Sequence, residues 1–275
     1  MTDRYAVFGN PIKHSKSPQI HAAFASSTDQ DLTYEAICVP EDNFEGYVSD
    51  FLSGDGRGLN ITIPFKQEAW ALAEVRSPRA ELAGAVNTLY RDDQGRLCGD
   101  NTDGVGMVRD ILRNNGGTIE GKKVLILGAG GAVRGVLQPV LEQKPELLVI
   151  ANRTASKAEE LAGLVADLGN VSGGGYDELA GHSFDLVING TAASLQGEIP
   201  PLPENVLAQG AWCYDMMYAA EPTAFCVWAT EQGAEKSIDG LGMLVEQAAE
   251  SFRIWRGLDP DSKTVISDIR AAITV

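Results

Sequence analysis

Short apolar runs alternate with segments of helical spacing along the first part of the chain. Strands are predicted over Tyr5–Gly9, Leu32–Val39 and Gly58–Ile63. Helical spacing occupies the segments between them, with Ser17 expected as the N-cap of the first helix and Phe44–Leu52 forming the second. Alternating strands and helices are typical of a largely parallel sheet, and we predict one here.

A hairpin is expected to extend this sheet. The apolar segments Val86–Tyr90 and Arg96–Cys98 flank the turn residues Asp92–Gly95, a pattern that predicts two antiparallel strands. Helical spacing then covers Gly104–Asn114. The first α/β domain is therefore expected over residues 1–103.

A second alternation of strands and helices follows. Its first strand, Lys122–Leu127, runs directly into a group of glycines. Further apolar strands are predicted over Leu147–Ala151, Phe184–Asn189 and Trp212–Met216. This pattern is typical of a Rossmann-type, doubly wound domain, expected over residues 104–239. The last segment, 240–275, supplies no new strand, so its helices are expected to pack back on the first domain. These helices are predicted over Leu241–Arg256 and Ser262–Ile273.

Composition and charge exclude several classes of function. The chain has 275 residues, 44% of them hydrophobic, and a formal net charge of −16 at pH 7. Because such an acidic protein repels polyphosphate, bulk binding to nucleic acid or to an anionic membrane is not expected. The first residues lack the basic and apolar regions of a signal peptide, and no apolar run is long enough to cross a bilayer. A cytoplasmic protein is therefore expected.

The cysteines and histidines show no metal or redox motif. The four cysteines lie far apart in sequence, and we interpret them as reduced, buried thiols. The three histidines, His14, His21 and His182, lack the spacing of metal ligands. No metal is expected.

The glycine segment Gly128-Ala129-Gly130-Gly131-Ala132 lies between a buried strand and a helix. Glycines allow a backbone to turn sharply and approach a pyrophosphate, which the helix N-terminus attracts. The third glycine of the usual fingerprint is displaced, since Val133 holds its position. An ordinary tight turn therefore remains an alternative to a dinucleotide site.

The end of the next strand indicates which dinucleotide would bind. An NAD enzyme places an acid there, but this chain has Asn152-Arg153-Thr154, with Lys157 one turn later. Arginine and lysine suit the 2′-phosphate of NADP, because they form charge-assisted hydrogen bonds. The alternative is a solvated helix start that Thr154 caps.

Three polar clusters mark the first domain. Ser15 and Ser17 lie in a proline-containing loop that could bind a carboxylate, and the segment Asn60–Lys66 places polar side chains at the end of a strand. Asn87 and Asp103 stand beside apolar strands. Helix capping, turn formation and a solvated lysine are the alternatives for these residues. A lysine and an aspartate that meet in a cleft would form a proton-transfer pair.

These motifs resemble the shikimate dehydrogenase family from Val7 to Phe252. The matching segments are Gly9–Pro18, Asn60–Lys66, Gly84–Leu89, Gly99–Gly104, Gly128–Ala132, Asn152–Thr154 and Asp239–Gln247. The displaced fingerprint glycine is usual in that family. The resemblance implies NADPH-dependent reduction of 3-dehydroshikimate to shikimate, without a metal.

The resemblance also implies roles for individual residues. Lys66 and Asp103 would be the catalytic pair. The substrate would be bound by Ser15, Ser17, Thr62, Asn87, Tyr218 and Gln247. The NADP cofactor would be bound by Gly128, Ala129, Gly130, Gly131, Ala132, Asn152, Arg153, Thr154, Lys157, Thr191, Met216 and Gly240. The protein would act on a small molecule as a monomer or a homodimer.

Two alternatives stay open at this point. A relative could accept quinate as well as shikimate, or NAD as well as NADP, although Arg153 argues against the NAD variant. A non-catalytic sensor of nucleotide and shikimate is the other, which the presence of both Lys66 and Asp103 disfavours.

Overall fold

The computed structural model of the chain describes residues 2–274, so the first and last residues of the expected domain ranges lie outside it. The chain forms two compact units. The first contains the residues up to 106 together with 245–271, and the second contains 107–244 and the residues from 272 onward. The predicted fold class, two α/β domains with C-terminal helices that return to the first, is confirmed.

The first unit is built on a six-stranded sheet in the order β2-β1-β3-β5-β6-β4. Its strands are β1 (Asp3–Gly9), β2 (Leu32–Cys38), β3 (Gly56–Ile61), β4 (Val75–Arg76), β5 (Thr88–Arg91) and β6 (Leu97–Asp100). Its helices are α1 (Ser17–Ser27), α2 (Phe44–Ser53), α3 (Lys66–Leu72) and α4 (Pro78–Ala83). Strand β5 is antiparallel to both of its neighbours, which confirms the predicted hairpin within a mostly parallel sheet.

Three local predictions for this unit were wrong. Strand β3 ends at Ile61 rather than Ile63, because the next residues form a turn in which the Phe65 N–H bonds the Thr62 carbonyl at 3.0 Å. Helix α1 has Lys16 as its N-cap, since Ser15 rather than Ser17 supplies the hydroxyl that faces the first turn. Cys38 is exposed at the end of an edge strand, while the other cysteines are buried as expected.

The second unit contains a wholly parallel sheet in the order β12-β11-β10-β7-β8-β9. Its strands are β7 (Lys123–Leu127), β8 (Leu147–Ala151), β9 (Val171–Gly174), β10 (Phe184–Asn189), β11 (Leu207–Asp215) and β12 (Lys236–Ile238). The helices that follow them along the chain are α6 (Gly131–Leu141), α7 (Ala155–Leu164) and α8 (Ala224–Glu231). The strand order reverses between β7 and β10, and ligands of open α/β sheets bind at the carboxyl end of such a switch point.

The remaining helices complete both units. Helix α5 (Asp103–Arg109) continues as a π-helical turn over Asp110–Asn114. The chain ends with α9 (Leu241–Arg256) and α10 (Ser262–Ile273), at the bounds that the periodicity predicts. Within residues 2–274, no helix combines the length and the apolar character that a membrane span requires.

Candidate active site

Lys66 and Asp103 form an ion pair in the first unit. Each side chain stands at the first residue of a helix, α3 for Lys66 and α5 for Asp103. The Lys66 Nζ lies 2.6 Å from the Asp103 Oδ2, and the two side chains remain 33% and 17% exposed. A short charge-assisted hydrogen bond therefore holds the ammonium while its other protons stay accessible.

Asn87 orients the carboxylate of this pair. Its Nδ2 donates to the Asp103 Oδ1 at 2.8 Å, and its Oδ1 accepts bonds from the Thr102 N–H at 3.0 Å and the Thr88 hydroxyl at 2.8 Å. The Asn87 side chain is buried, and its backbone N–H donates to the Asp100 carbonyl at 3.0 Å. The amide is thus fixed on both sides, so the Asp103 carboxylate has one preferred orientation.

Helix α9 closes the network from the other end of the sequence. The Gln247 Oε1 accepts from the Asn87 Nδ2 at 3.3 Å, and the Gln247 carbonyl accepts from the Thr102 hydroxyl at 2.9 Å. One turn later the buried Ser251 hydroxyl lies 2.8 Å from the Thr88 hydroxyl. Asn87, Asp103, Lys66 and Gln247 are therefore connected by direct contacts within the first unit.

A second chain of contacts leads towards the loop that carries the predicted serines. Asn60 donates to the Ser251 hydroxyl at 3.0 Å and accepts from the Tyr34 hydroxyl at 2.7 Å. Tyr34 in turn contacts the side chain of Ser17. Burial raises the pKa of Tyr34 well above its ordinary value, so this hydroxyl keeps its proton and remains a donor.

The loop that begins at Gly9 and carries the predicted serines lies close to Thr62, directly after β3. A Cβ at Gly9, where the loop begins, would overlap the methyl group of Thr62. Ser15 donates its backbone N–H to the Ile12 carbonyl at 3.0 Å, and its hydroxyl accepts from the Ser17 N–H at 3.3 Å. Thr62 and the serine loop therefore belong to one region of the first unit.

Several polar residues of the network were not among the predicted site residues, Thr102, Ser251 and Asn101 among them. Thr102 and Ser251 are fully buried and connect Asn87 to α9, and Asn101 accepts from the Asp103 N–H at 3.2 Å. The run Asn101-Thr102-Asp103 after a strand was a signal that could have identified two of them. Ser251 carries no such signal, because it is one small polar residue within a long helix.

The predicted glycine segment and Thr191 lie at the switch point of the second unit. Gly128 has a φ of 105°, a conformation that favours glycine, and a Cβ there would lie 3.1 Å from the Thr191 methyl group. Helix α6 begins beside it, and a Cβ at Gly130 or Gly131 would meet no atom within 4 Å. The helix N-terminus is therefore open to an approaching anion.

Two further predicted residues lie at the end of β11. Met216 is buried, and a Cβ at Gly240 would overlap the Met216 carbonyl group. Gly190, which precedes Thr191, packs against the Met216 sulfur, since a Cβ there would stand 3.2 Å from it. These residues therefore gather at the carboxyl ends of β10 and β11.

The basic residues predicted to bind phosphate lie at the end of β8. Asn152 donates to the Thr154 carbonyl at 3.0 Å, and Thr154 is the N-cap of α7 without a side-chain capping bond. Arg153 and Lys157 are both exposed, and neither forms a salt bridge within the described residues. Burial raises the pKa of Tyr176, and the nearby Arg153 charge opposes that rise.

Within residues 2–274, no set of three or more His, Cys, Asp or Glu side chains is arranged to hold a metal ion.

Models of known protein families match three segments. Residues 7–89 match the shikimate dehydrogenase substrate binding domain, residues 110–196 match shikimate / quinate 5-dehydrogenase, and residues 240–268 match the shikimate 5′-dehydrogenase C-terminal domain.

Relatives of similar length are found over nearly the whole chain. The shikimate dehydrogenase (NADP(+)) of Cellvibrio japonicus is 60% identical, covering 98% of both chains. That of Alkalilimnicola ehrlichii is 58% identical, covering 98% of this chain and 99% of the relative.

Solved structures of similar sequence and fold also cover nearly the whole chain. An Ael1 enzyme from Pseudomonas putida is 48% identical with a TM-score of 0.93, covering 99% of this chain and 98% of that one. The shikimate 5-dehydrogenase of Thermus thermophilus, in complex with NADP(H) and shikimate, is 32% identical with a TM-score of 0.86, covering 98% of this chain and 99% of that one.

Proposed function

Because the chain belongs to the shikimate dehydrogenase family, we propose that it catalyses the reversible reduction of 3-dehydroshikimate to shikimate with NADPH. The reaction belongs to the biosynthesis of aromatic amino acids, and we propose that the protein catalyses it in the cytoplasm. The Lys66–Asp103 ion pair, held by Asn87, is the observation that carries this proposal.

Lys66 is the proton donor of the reducing direction. NADPH, when bound, supplies the hydride that adds to the substrate carbonyl carbon. The carbonyl oxygen gains negative charge, and the Lys66 ammonium gives it a proton, so that a hydroxyl forms and a neutral amine remains. Asp103, 2.6 Å from the Nζ, stabilises the ammonium before transfer and when it is restored from solvent. In the oxidising direction the same amine removes the hydroxyl proton.

The polar network of the first unit binds the substrate. Ser15 and Ser17 hold the carboxylate, which is supported by their position in one loop beside Thr62. The ring hydroxyls bind to residues of the network and to one tyrosine. These residues are Thr62, Lys66, Asn87, Asp103, Tyr218 and Gln247. Fixed amide and hydroxyl groups suit a polyhydroxylated ring because they need no reordering when it binds.

The residues of the second unit fit NADP. The open N-terminus of α6 receives the pyrophosphate, and glycines at positions 128, 130 and 131 leave room for its approach. Arg153 and Lys157, which are exposed and form no salt bridge within the described residues, bind the 2′-phosphate. The nicotinamide end would be bound by the group at the ends of β10 and β11. That group is Thr191, Met216 and Gly240.

A steady-state assay with four pairs of ligands tests the function. Reduction of the nicotinamide is followed by absorbance after adding shikimate or quinate to the protein with NADP⁺ or NAD⁺. We expect the shikimate and NADP⁺ pair to give the highest kcat/KM. Comparable turnover of quinate would identify an enzyme of broader specificity, and binding of NADP⁺ without turnover of any pair would identify a sensor. The assembly, proposed as monomer or homodimer, is read from the mass in size-exclusion chromatography with light scattering.

A further inference from the structure

A half-buried arginine contacts the substrate network at a distance from its reacting groups. Arg79 is the second residue of α4, and its guanidinium binds the Asp100 carboxylate in a bidentate manner, with distances of 2.7 and 2.8 Å. Its Nη2 also donates to the Glu250 Oε1 at 2.9 Å. The Arg79 side chain is only 20% exposed, and the carboxylates of Asp100 and Glu250 are 11% and 1% exposed. One cation therefore joins two nearly buried anions.

Asp100 fixes the segment that carries the catalytic aspartate. It ends β6, and its Oδ1 accepts from the Asn101 N–H at 2.7 Å and from the Ser77 hydroxyl at 2.5 Å. Its carbonyl accepts the N–H of Asn87 at 3.0 Å. Asp103 follows three positions later, and its own N–H bonds to Asn101. The orientation of Asp100 thus determines where Asn87 and Asp103 stand.

Glu250 fixes the helix that carries Gln247. Residues three apart on a helix lie on one face, so Glu250 and Gln247 point to the same side of α9. Glu250 also binds Arg253 at 2.7 Å, on the more exposed side of the same helix. Arg79 is therefore an ionic link between the end of β6 and α9, beside the neutral bond from the Thr102 hydroxyl to the Gln247 carbonyl.

We propose that Arg79 is a positioning residue of the substrate site, holding Asp103 and Gln247 in register through Asp100 and Glu250, an inference that rests on the proposed function. Burial alone would lower the pKa of Arg79, but the contacts with Asp100 and Glu250 raise it above its ordinary value, so the cation persists. Without it, Asp100 would keep only neutral donors and would face the nearby charge of Glu250. The two segments would then lose their ionic link and be held only by neutral hydrogen bonds such as that from Thr102 to Gln247.

Arg79→Lys is the decisive variant. Lysine keeps the charge but lacks the planar fork that binds two carboxylates at once, so it separates charge from geometry. We expect kcat/KM for shikimate to fall about ten-fold or more, since misplacement by about 1 Å can cost about a hundred-fold. The Kd for NADP⁺ and the melting temperature should stay near the wild-type values. Arg79→Met should lose stability as well, and if it fails to fold, Arg79→Lys still decides.

Arg76→Lys is the matched control. Arg76 precedes the same helix and binds Glu81 at 2.6 Å and the carbonyls of Trp70 and Ala73, but it does not reach Asp100. Its kcat/KM for shikimate should stay within about two-fold of wild type. An Arg79→Lys protein that folds and keeps full kcat/KM, or one that loses no more than the Arg76 control, would overturn the positioning role while leaving the function intact. A wild-type protein without shikimate turnover would overturn both.

Discussion

Replacement of Lys66 by methionine separates the chemistry of the ammonium from the packing of its stem. Methionine keeps a flexible apolar chain of similar length, so the start of α3 should remain folded. The backbone bond from the Val86 N–H to the Lys66 carbonyl, 2.8 Å long, is unaffected by the change of side chain. What is lost is the proton donor 2.6 Å from the Asp103 Oδ2.

The expected loss is confined to the chemical step. General acid–base catalysis contributes about 10²- to 10⁴-fold, so kcat should fall by that factor, equivalent to about 3 to 5 kcal/mol in the activation free energy. Asp103 keeps its bond from Asn87 at 2.8 Å, so the carboxylate still has a partner in the variant. Cofactor binding should be unchanged, because Arg153 and the glycines of the second unit are untouched.

The assay measures kcat and KM for shikimate, together with direct titration of NADP⁺ binding. Lys263→Met is the matched control, since Lys263 is exposed on α10 and its side chain takes no part in the network. Turnover in this control should equal that of wild type. If Lys66→Met keeps nearly full kcat, the Lys66–Asp103 ion pair has a structural role only and another group supplies the proton.

Three further changes test other parts of the molecule. Arg153→Ala should weaken NADP⁺ binding about ten- to a hundred-fold and leave NAD⁺ binding nearly unchanged, because a charge-assisted hydrogen bond is worth about 1.5 to 3 kcal/mol and only NADP⁺ has a 2′-phosphate; titration of both nucleotides measures this. Burial lowers the pKa of His21 from 6.5 to about 3, so the unfolded chain takes up this proton first and the free energy of unfolding falls as the pH drops between these values. His21→Phe should remove that contribution, about 1.4 kcal/mol per pH unit, from the pH dependence measured by urea unfolding. Gly240→Ala should lower the free energy of unfolding by about 1 to 3 kcal/mol and weaken NADP⁺ binding, because its methyl group would overlap the Met216 carbonyl.

Each of these changes has a control in the same chain. Arg113→Ala alters an exposed arginine of the second unit, and His182→Phe an exposed histidine. Gly163→Ala adds a methyl group to α7, where nothing lies within 4 Å. Equal losses for both nucleotides in Arg153→Ala, an unchanged acid slope in His21→Phe, or full stability in Gly240→Ala would each contradict the corresponding assignment.

Central elements of the fold could be predicted from the sequence because their residues are buried in a regular pattern. The strand Lys123–Leu127 has four consecutive side chains with no exposed surface, and it pairs on both sides, so its sequence is a continuous aliphatic run. Helix α9 has apolar residues along one face instead of a continuous apolar run. This helical spacing predicts both the first and the last residue of the helix correctly. The glycines after β7 could be recognised as a candidate nucleotide site because they follow this buried strand directly.

The short edge strands could not be predicted in this way, although the seven-residue edge strand β2 was. β4, β9 and β12 each lie at the edge of a sheet and contain only two to four residues. Their side chains are mostly half-buried, and β9 reads Val-Ser-Gly-Gly, which has no apolar run or alternation. A strand paired on one side needs little apolar surface, so nothing in its own residues distinguishes it from a loop. Its existence depends on the neighbouring strand.

The long-range hydrogen bonds that support the site could not be predicted from the sequence either. Ser251 lies 163 positions from Thr88 along the chain, and Glu250 lies 171 positions from Arg79, so each pairing exists only in the folded unit. A serine and a glutamate on a predicted helix are ordinarily exposed to solvent. Their residue types therefore give no reason to expect burial. Resemblance to a family supplied the predicted ligand-binding residues, whereas Ser251 and Glu250, which contact the network from α9, have no signal of their own in the sequence.

A single face of α9 explains why those supporting residues matter. Gln247, Glu250 and Ser251 stand at helical spacing and meet three different partners, the Asn87 amide, the Arg79 guanidinium and the Thr88 hydroxyl. The buried groups among them, Glu250, Ser251, Asn87 and Thr88, would cost free energy if they were left without hydrogen bonds, so the helix and the strands fix one another in one arrangement. The same arrangement aims the Asn87 amide at Asp103, and through it fixes the ammonium of Lys66. Donors that are oriented before the substrate arrives need no reorganisation during proton transfer, which is how a helix far along the chain contributes to catalysis.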